Sequence, residues 1–220
     1  MLPFLNIHTH RKPQSPQEVA VRNAYLPKKF SEMDLPYPVS VGIHPWFIAA
    51  DWEKQIETMG EILAKNKVTA IGEIGLDRAI ATPFSIQATL LEAQIAITQN
   101  AEKPYIIHCV RAYSDFSFFL KQIKTSVIFH DFQGNKIQVQ QLLKYDVYFS
   151  FGKSLFSLSS KLNETLATIP PERLFLETDT SPILIQSIYN QLSTIKSIPV
   201  ETLKTIFWEN QIRIGLLNGG

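Results

Sequence analysis

Short apolar runs alternate with helical segments along this chain, and that alternation constrains its fold more than any other feature. The clearest run is Val68-Thr69-Ala70-Ile71-Gly72-Glu73-Ile74-Gly75-Leu76-Asp77. It is apolar and β-branched, as a strand covered on both faces must be, and it ends on carboxylates and glycine. Seven more runs share its character: Phe4 to Ile7, Glu18 to Tyr25, Val39 to Pro45, Pro104 to His108, Ser126 to His130, Val147 to Gly152 and Arg173 to Asp179. Helical spacing fills the gaps. Asp51 to Asn66 carries Ile56, Met59, Ile62 and Leu63 on one stripe, and 83–100 carries Ile86, Leu90, Ala93 and Ile97. Ser114 to Lys124, 136–145 and 158–169 follow, and Pro199 to Leu217 ends the pattern. Eight strands separated by helices predict a (β/α)₈ TIM barrel. One connection does not fit. Arg11 to Gln17 is too short for a crossover helix, so either the first helix is shortened or missing, or the second strand is misread.

The 220 residues suit one domain over 1–220, and 45% hydrophobic residues are ample for its core. A formal net charge of +1 excludes a bulk electrostatic footprint for nucleic acid. A polyanion would be held locally or through bound cations. The single cysteine, Cys109, excludes an internal disulfide framework and reads as a packed small hydrophobe. The opening residues lack a basic leader and no run is long enough to span a bilayer, so the expectation is a soluble cytoplasmic protein with no membrane partner.

All five histidines, His8, His10, His44, His108 and His130, fall at the C-terminal ends of predicted strands, as do Glu73, Glu177 and Asp179. Barrel enzymes carry their chemistry at that end. Along a strand His8 and His10 point the same way, with Asn6 behind them, so the two imidazoles can grip one ion. A carboxylate buried on a strand, such as Glu73, is costly unless it is paired or binds metal. Imidazoles and carboxylates without a cysteine cluster suit Zn²⁺, Mn²⁺ or a similar divalent ion. The supply is enough for two: His8, His10 and Asp179 about one, His108 and His130 about the other, Glu73 bridging. The competing reading, satisfied core histidines, requires all five to reach strand ends independently.

Taken in order, the motifs are His8-Thr9-His10, Gly42-Ile43-His44-Pro45, Ile71 to Asp77, Pro104 to His108 and Phe129-His130 with Gly134. After them come Tyr148-Phe149-Ser150, Glu177-Thr178-Asp179 with Pro182, and Asn210 with Arg213. This set resembles the TatD-related metal-dependent nucleases of the amidohydrolase superfamily. Gln87 and Gln94 sit where that family's fourth helix carries glutamines. The resemblance implies a TIM barrel that hydrolyses phosphodiester bonds of DNA with divalent metal, single-stranded ends being the expected partner. It implies that His8, His10, Glu73 and Asp179 bind one ion and Glu73, His108 and His130 the other, as Zn, Mn or Mg. Three departures stand out. Asn6 replaces the family's opening Asp, Val110 replaces an arginine that here comes one place later as Arg111, and Thr180-Ser181 separates Asp179 from proline.

Asp179 is expected to orient the attacking water and take its proton, with Glu73 the second catalytic carboxylate. His44 has no obvious place about the metals and reads as a phosphate or leaving-group contact, beside the alternative of a structural hydrogen bond at the rim. Arg111 is the other expected substrate contact. Glu177 reads as a partner that orients a histidine, and Asp77 as either the same or a helix cap. Arg22, Lys28, Lys29 and Lys153 either line a path for a nucleic-acid backbone or form solvated surface. The expected activity is metal-dependent hydrolysis of ester bonds. The alternatives are hydrolysis of another ester or a C–N bond on the same plan, and metal binding with little turnover.

Overall fold

The computed structural model describes residues 1–26, 38–65, 68–157 and 159–217. Eight strands form one sheet in chain order: β1 (Phe4–Thr9), β2 (Glu18–Tyr25), β3 (Val39–Gly42), β4 (Ala70–Asp77), β5 (Tyr105–Val110), β6 (Val127–Phe129), β7 (Val147–Phe151) and β8 (Leu174–Leu176). Every neighbouring pair is parallel. The ring closes where Thr9 bridges Asp179: the His8 carbonyl accepts from the Asp179 N–H at 3.1 Å, and the His10 N–H donates to the Asp179 carbonyl at 3.1 Å. Around it run α1 (Trp52–Lys65), α2 (Phe84–Thr98), α3 (Tyr113–Leu120), α4 (Lys136–Leu142), α5 (Ser160–Thr168), α6 (Ile185–Lys196) and α7 (Val200–Ile214). This is the (β/α)₈ TIM barrel that the alternation predicted.

The awkward first connection resolves in favour of a missing helix. β2 is a genuine strand, in parallel register with β1 from Phe4 opposite Glu18. Residues 10–17 contain no helix. An extended return needs none, because eight residues reach about 28 Å at full extension and β1 is only about 20 Å long.

The strands are buried as a parallel sheet must be, and every residue of β4 is buried. Between β6, β7 and α3 an aromatic cluster fills the wall: Phe129 lies 5.3 Å from Phe116, and Phe132 lies 4.7 Å from Phe149, centroid to centroid. Each such fully buried side chain stabilises by about 1.5–3 kcal/mol relative to its exposure.

Two helices differ from expectation. α2 was predicted to turn Ile86, Leu90, Ala93 and Ile97 inward, yet Ile86 and Ile97 are 40% and 43% exposed. The buried face is Gln87, Leu90, Leu91, Gln94, Ile95 and Thr98. The glutamines turn inward because strand ends need them. The Gln94 amide accepts from the Ile43 N–H at 2.7 Å and donates to its carbonyl at 3.2 Å. Gln87 does the same for Asp77, at 2.7 and 3.0 Å. α6, for its part, went unread, although Ile185, Ile188, Tyr189 and Leu192 bury one helical face.

Candidate metal centre

β4 makes the centre possible. Its pairing with β5 shifts register between Ile71 and Ile74, and the peptide between Gly72 and Glu73 is cis. Gly72 and Gly75 flank Glu73 with φ of 155° and 152°, which side chains disfavour. A β-carbon at Gly75 would also collide with the His108 carbonyl, so β4 could not lie this close to β5.

Glu73 occupies the middle of the barrel mouth, and its two oxygens face different histidines. Oε2 lies 3.4 Å from His8 Nε2 and 3.7 Å from His10 Nε2. Oε1 lies 2.6 Å from His130 Nε2, 3.2 Å from His108 Nδ1 and 3.1 Å from His44 Nε2. Asp179 completes the first side, with Oδ1 at 3.3 Å from His10 Nε2 and 3.7 Å from His8 Nε2. Potential ligand atoms thus cluster as His8, His10 and Asp179, as His8, Glu73 and His130, and as His44, Glu73 and His108.

Neighbouring carboxylates fix which imidazole nitrogen is available. Asp77 Oδ2 holds His108 Nε2 at 3.0 Å, which leaves Nδ1 toward Glu73. Glu177 Oε1 holds His130 Nδ1 at 3.3 Å, which leaves Nε2 inward. Carboxylate behind histidine is how metal sites orient their imidazoles and raise their basicity. Glu177 is itself held by the Ser150 hydroxyl and by the Asp131 N–H at 3.1 Å. His8 is fully buried, yet neither ring nitrogen has a hydrogen-bond partner. A buried orphan nitrogen beside two carboxylates fits a cation, so the donor set suits one or more divalent ions.

The electrostatics agree. Burial alone would push the Glu73 carboxyl up, but charge on His130 and hydrogen bonds from His10, His108 and His130 hold it well below the usual range. Burial would lower His10, but hydrogen bonds and charge from Asp179 and Glu73 raise it to about 9. For His130, attraction to Glu73 and Glu177 likewise overcomes burial and raises it well above the ordinary value. Asp179 is held low by His10, His8 and His130 against the opposing effect of burial. These carboxylates call for positive charge, which protons on imidazole supply here.

His44 is different. Its Nδ1 accepts the Trp46 backbone N–H at 3.1 Å, which assigns its proton to Nε2 and makes it a donor toward Glu73. Burial lowers its pKa, in keeping with a neutral ring.

The cluster opens into a cavity of about 450 Å³ whose wall includes Trp46, Phe47, Asp131, Lys153 and Thr180 beside His10, His44, Glu73, His108, His130 and Asp179. Arg111 leaves β5 with φ of 53° and an exposed side chain, and it is not among the described residues of that wall. Arg22 is 9% exposed on β2, and Lys28 and Lys29 lie outside the described residues. Cys109 is buried, and burial pushes its thiol up, as for a packed hydrophobe. Asn6 is drawn away from the histidines: its amide nitrogen donates to Glu18 at 2.7 Å and Thr178 at 2.9 Å.

Sequence reasoning missed Asn23, which donates to Glu73 Oε2 at 3.2 Å while its oxygen accepts the Glu73 N–H at 3.1 Å. The available signal was an amide inside an otherwise apolar strand. Trp46 and Asp131 were missed as well.

A TIM barrel with imidazoles and carboxylates converging at its strand ends defines a metal-dependent hydrolase. The model of the family described as TatD related DNase matches residues 28–214, and the chain belongs to that family. Over 205 residues it is 29% identical to YabD of Bacillus subtilis (strain 168), named an uncharacterized metal-dependent hydrolase, covering 85% of this chain and 80% of that protein. Over 153 residues it is 30% identical to the 3'-5' ssDNA/RNA exonuclease TatD of Klebsiella pneumoniae (strain 342), covering 66% of this chain and 57% of the relative. The solved structure of YJJV, a TatD homolog from Escherichia coli K12, superposes with a TM-score of 0.85 over 99% of this chain and 98% of that one. At 21% identity that likeness speaks for the fold. Among the described residues no helix is long and apolar enough to cross a membrane.

Proposed function

We propose that this chain hydrolyses phosphodiester bonds at single-stranded ends of DNA with two divalent ions, of Zn, Mn or Mg. The observation that carries the proposal is the division of Glu73, one oxygen toward His8 and His10, the other toward His108 and His130. In this reading His8, His10 and Asp179 would hold one ion, His108 and His130 the other, and Glu73 would be shared between them. Bound divalent ions supply Lewis acidity at phosphoryl oxygens and lower the pKa of water.

The chain's own groups do the rest. Glu177, at the exit of β8, holds His130 Nδ1 and so aims Nε2 at the centre. Asp77 aims His108 Nδ1 in the same way. Asp179, kept ionised by its histidine neighbours, orients the attacking water and accepts its proton. With substrate bound, His44 turns its Nε2–H from Glu73 to a phosphate oxygen, and Lys153 adds a positive charge at the wall of the same cavity. The exonuclease name of the Klebsiella relative supports the substrate class.

The test is hydrolysis of an end-labelled single-stranded oligonucleotide by chelator-stripped protein, before and after Mn²⁺ is restored, beside a small phosphodiester. Metal-dependent trimming of the oligonucleotide is expected. Activity that survives chelation, or that is confined to other ester or C–N substrates, overturns the proposal.

A further inference from the structure

Trp46 is unusual for its place. The residue is 59% exposed and Phe47 38% exposed, although both belong to the cavity wall beside the histidines. A solvated tryptophan is normally free to move, but this one is pinned. Its Nε1–H donates to Asp77 Oδ2 at 2.7 Å, its backbone N–H donates to His44 Nδ1 at 3.1 Å, and its ring makes T-shaped contacts with His44 at 5.0 Å and His108 at 5.8 Å. Pro45 at the start of this short 3-10 turn fixes the approach. The result is a rigid aromatic face left open at the mouth.

Opposite it stands a cation. Trp46 and Phe47 follow β3 and Lys153 follows β7, four strands apart in a ring of eight, hence across the mouth from one another. An exposed aromatic side chain on one rim, a positive charge on the other and a cluster suited to divalent ions between them match a nucleotide, with base and phosphate at its two ends. We propose that Trp46 is a stacking platform for the nucleobase next to the scissile phosphate. The inference rests on the nuclease reading above and adds what holds the base. Stacking on an aromatic side chain tolerates any base, so the platform selects an unpaired end rather than a sequence.

Two readouts test it. The first compares kcat/KM for an oligonucleotide with an ordinary 3'-terminal base against one whose terminal residue is abasic. Wild type should prefer the base by about 5- to 160-fold, the range of aromatic stacking measured by substitution. In Trp46→Ala the preference should collapse toward unity, while Trp46→Phe, which keeps a ring but loses the bond to Asp77, should retain most of it. No preference in wild type, or an unchanged preference in Trp46→Ala, overturns the platform. So does equal loss in both variants, because Trp46 would then act through Asp77 and His108. The second readout does not need turnover: thymidine monophosphate should quench tryptophan fluorescence of the Mg²⁺-loaded protein, deoxyribose 5-phosphate should not, and Trp46→Phe should abolish the quenching. Quenching without oligonucleotide hydrolysis would overturn the nuclease reading and keep the platform. Quenching that is absent, or that persists in Trp46→Phe, would remove the platform whatever the activity.

Discussion

At the scale of single residues, the proposed function gives Glu73 and Asp179 separable duties. Glu73 faces both histidine sets, so Glu73→Gln should lower metal content and activity together, as elemental analysis and DNA hydrolysis would report. Among the described residues Asp179 pairs with His8 and His10. Asp179→Asn should keep metal at His108 and His130 while turnover falls by about 10²–10⁴, the usual worth of a general base. Near wild-type turnover in that variant would pass the role to another group. His10 sets a pH dependence. Its pKa rises from 6.5 to about 9 in the fold, so its pairing stabilises the metal-free protein fully below pH 6.5, and this is lost as pH climbs through about 9. A divalent ion needs the neutral ring. Metal binding at pH 7 should therefore release protons from His10 and His130 that a pH indicator detects, affinity should strengthen from pH 6.5 toward 9, and His10→Ala should remove its share of that release. The histidines were legible in the sequence because their residue type and their strand-end position coincide. Asn23 was not, since an amide in a strand has no spacing that marks its partner.

At the scale of elements, helix α2 serves the site through its polar residues. Gln94 satisfies both backbone groups of Ile43, next to His44, inside the protein. Gln94→Leu leaves a buried N–H and a buried carbonyl unpaired, each at about 1–3 kcal/mol. Chemical denaturation should show a loss of about 2–6 kcal/mol on that basis, whereas Ile97→Ala on the exposed face should stay within about 0.5 kcal/mol. Equal effects would mean that the helix is not anchored by its glutamines. Here the apolar spacing misled: it found the helix but not its rotation, because Ile86 and Ile97 keep the period while two amides hold the inner face. Strands were easier. β-branched runs bounded by glycine, proline and polar residues have few other fates, and even β2 formed where predicted despite its helix-free connection.

At the scale of the whole molecule, the ring brings Thr9 of β1 beside Asp179, just past β8 and 170 positions on in sequence, and the Asn6 amide ties that seam to Thr178. No local pattern could show this closure; the count of eight alternating units implied it. The chain as a whole is nearly neutral, at +1, and Lys153 is the one lysine or arginine among the described residues of the cavity wall. Affinity for single strands should therefore fall only gently with salt, since each phosphate neutralised by lysine or arginine adds roughly −0.7 to the logarithmic slope. A slope that reports six or more such contacts would contradict binding centred on the metal cluster.

The central claim is that the strand-end histidines and carboxylates form one two-ion site, and counting ions tests it most directly. Chelator-stripped protein dialysed against Mn²⁺ should hold about two ions per chain, the number a bridging carboxylate serves. The double variant His8→Ala/His130→Ala, which removes an imidazole from each side of Glu73, should hold none at the same free Mn²⁺. Metal content in that variant equal to wild type would contradict the account.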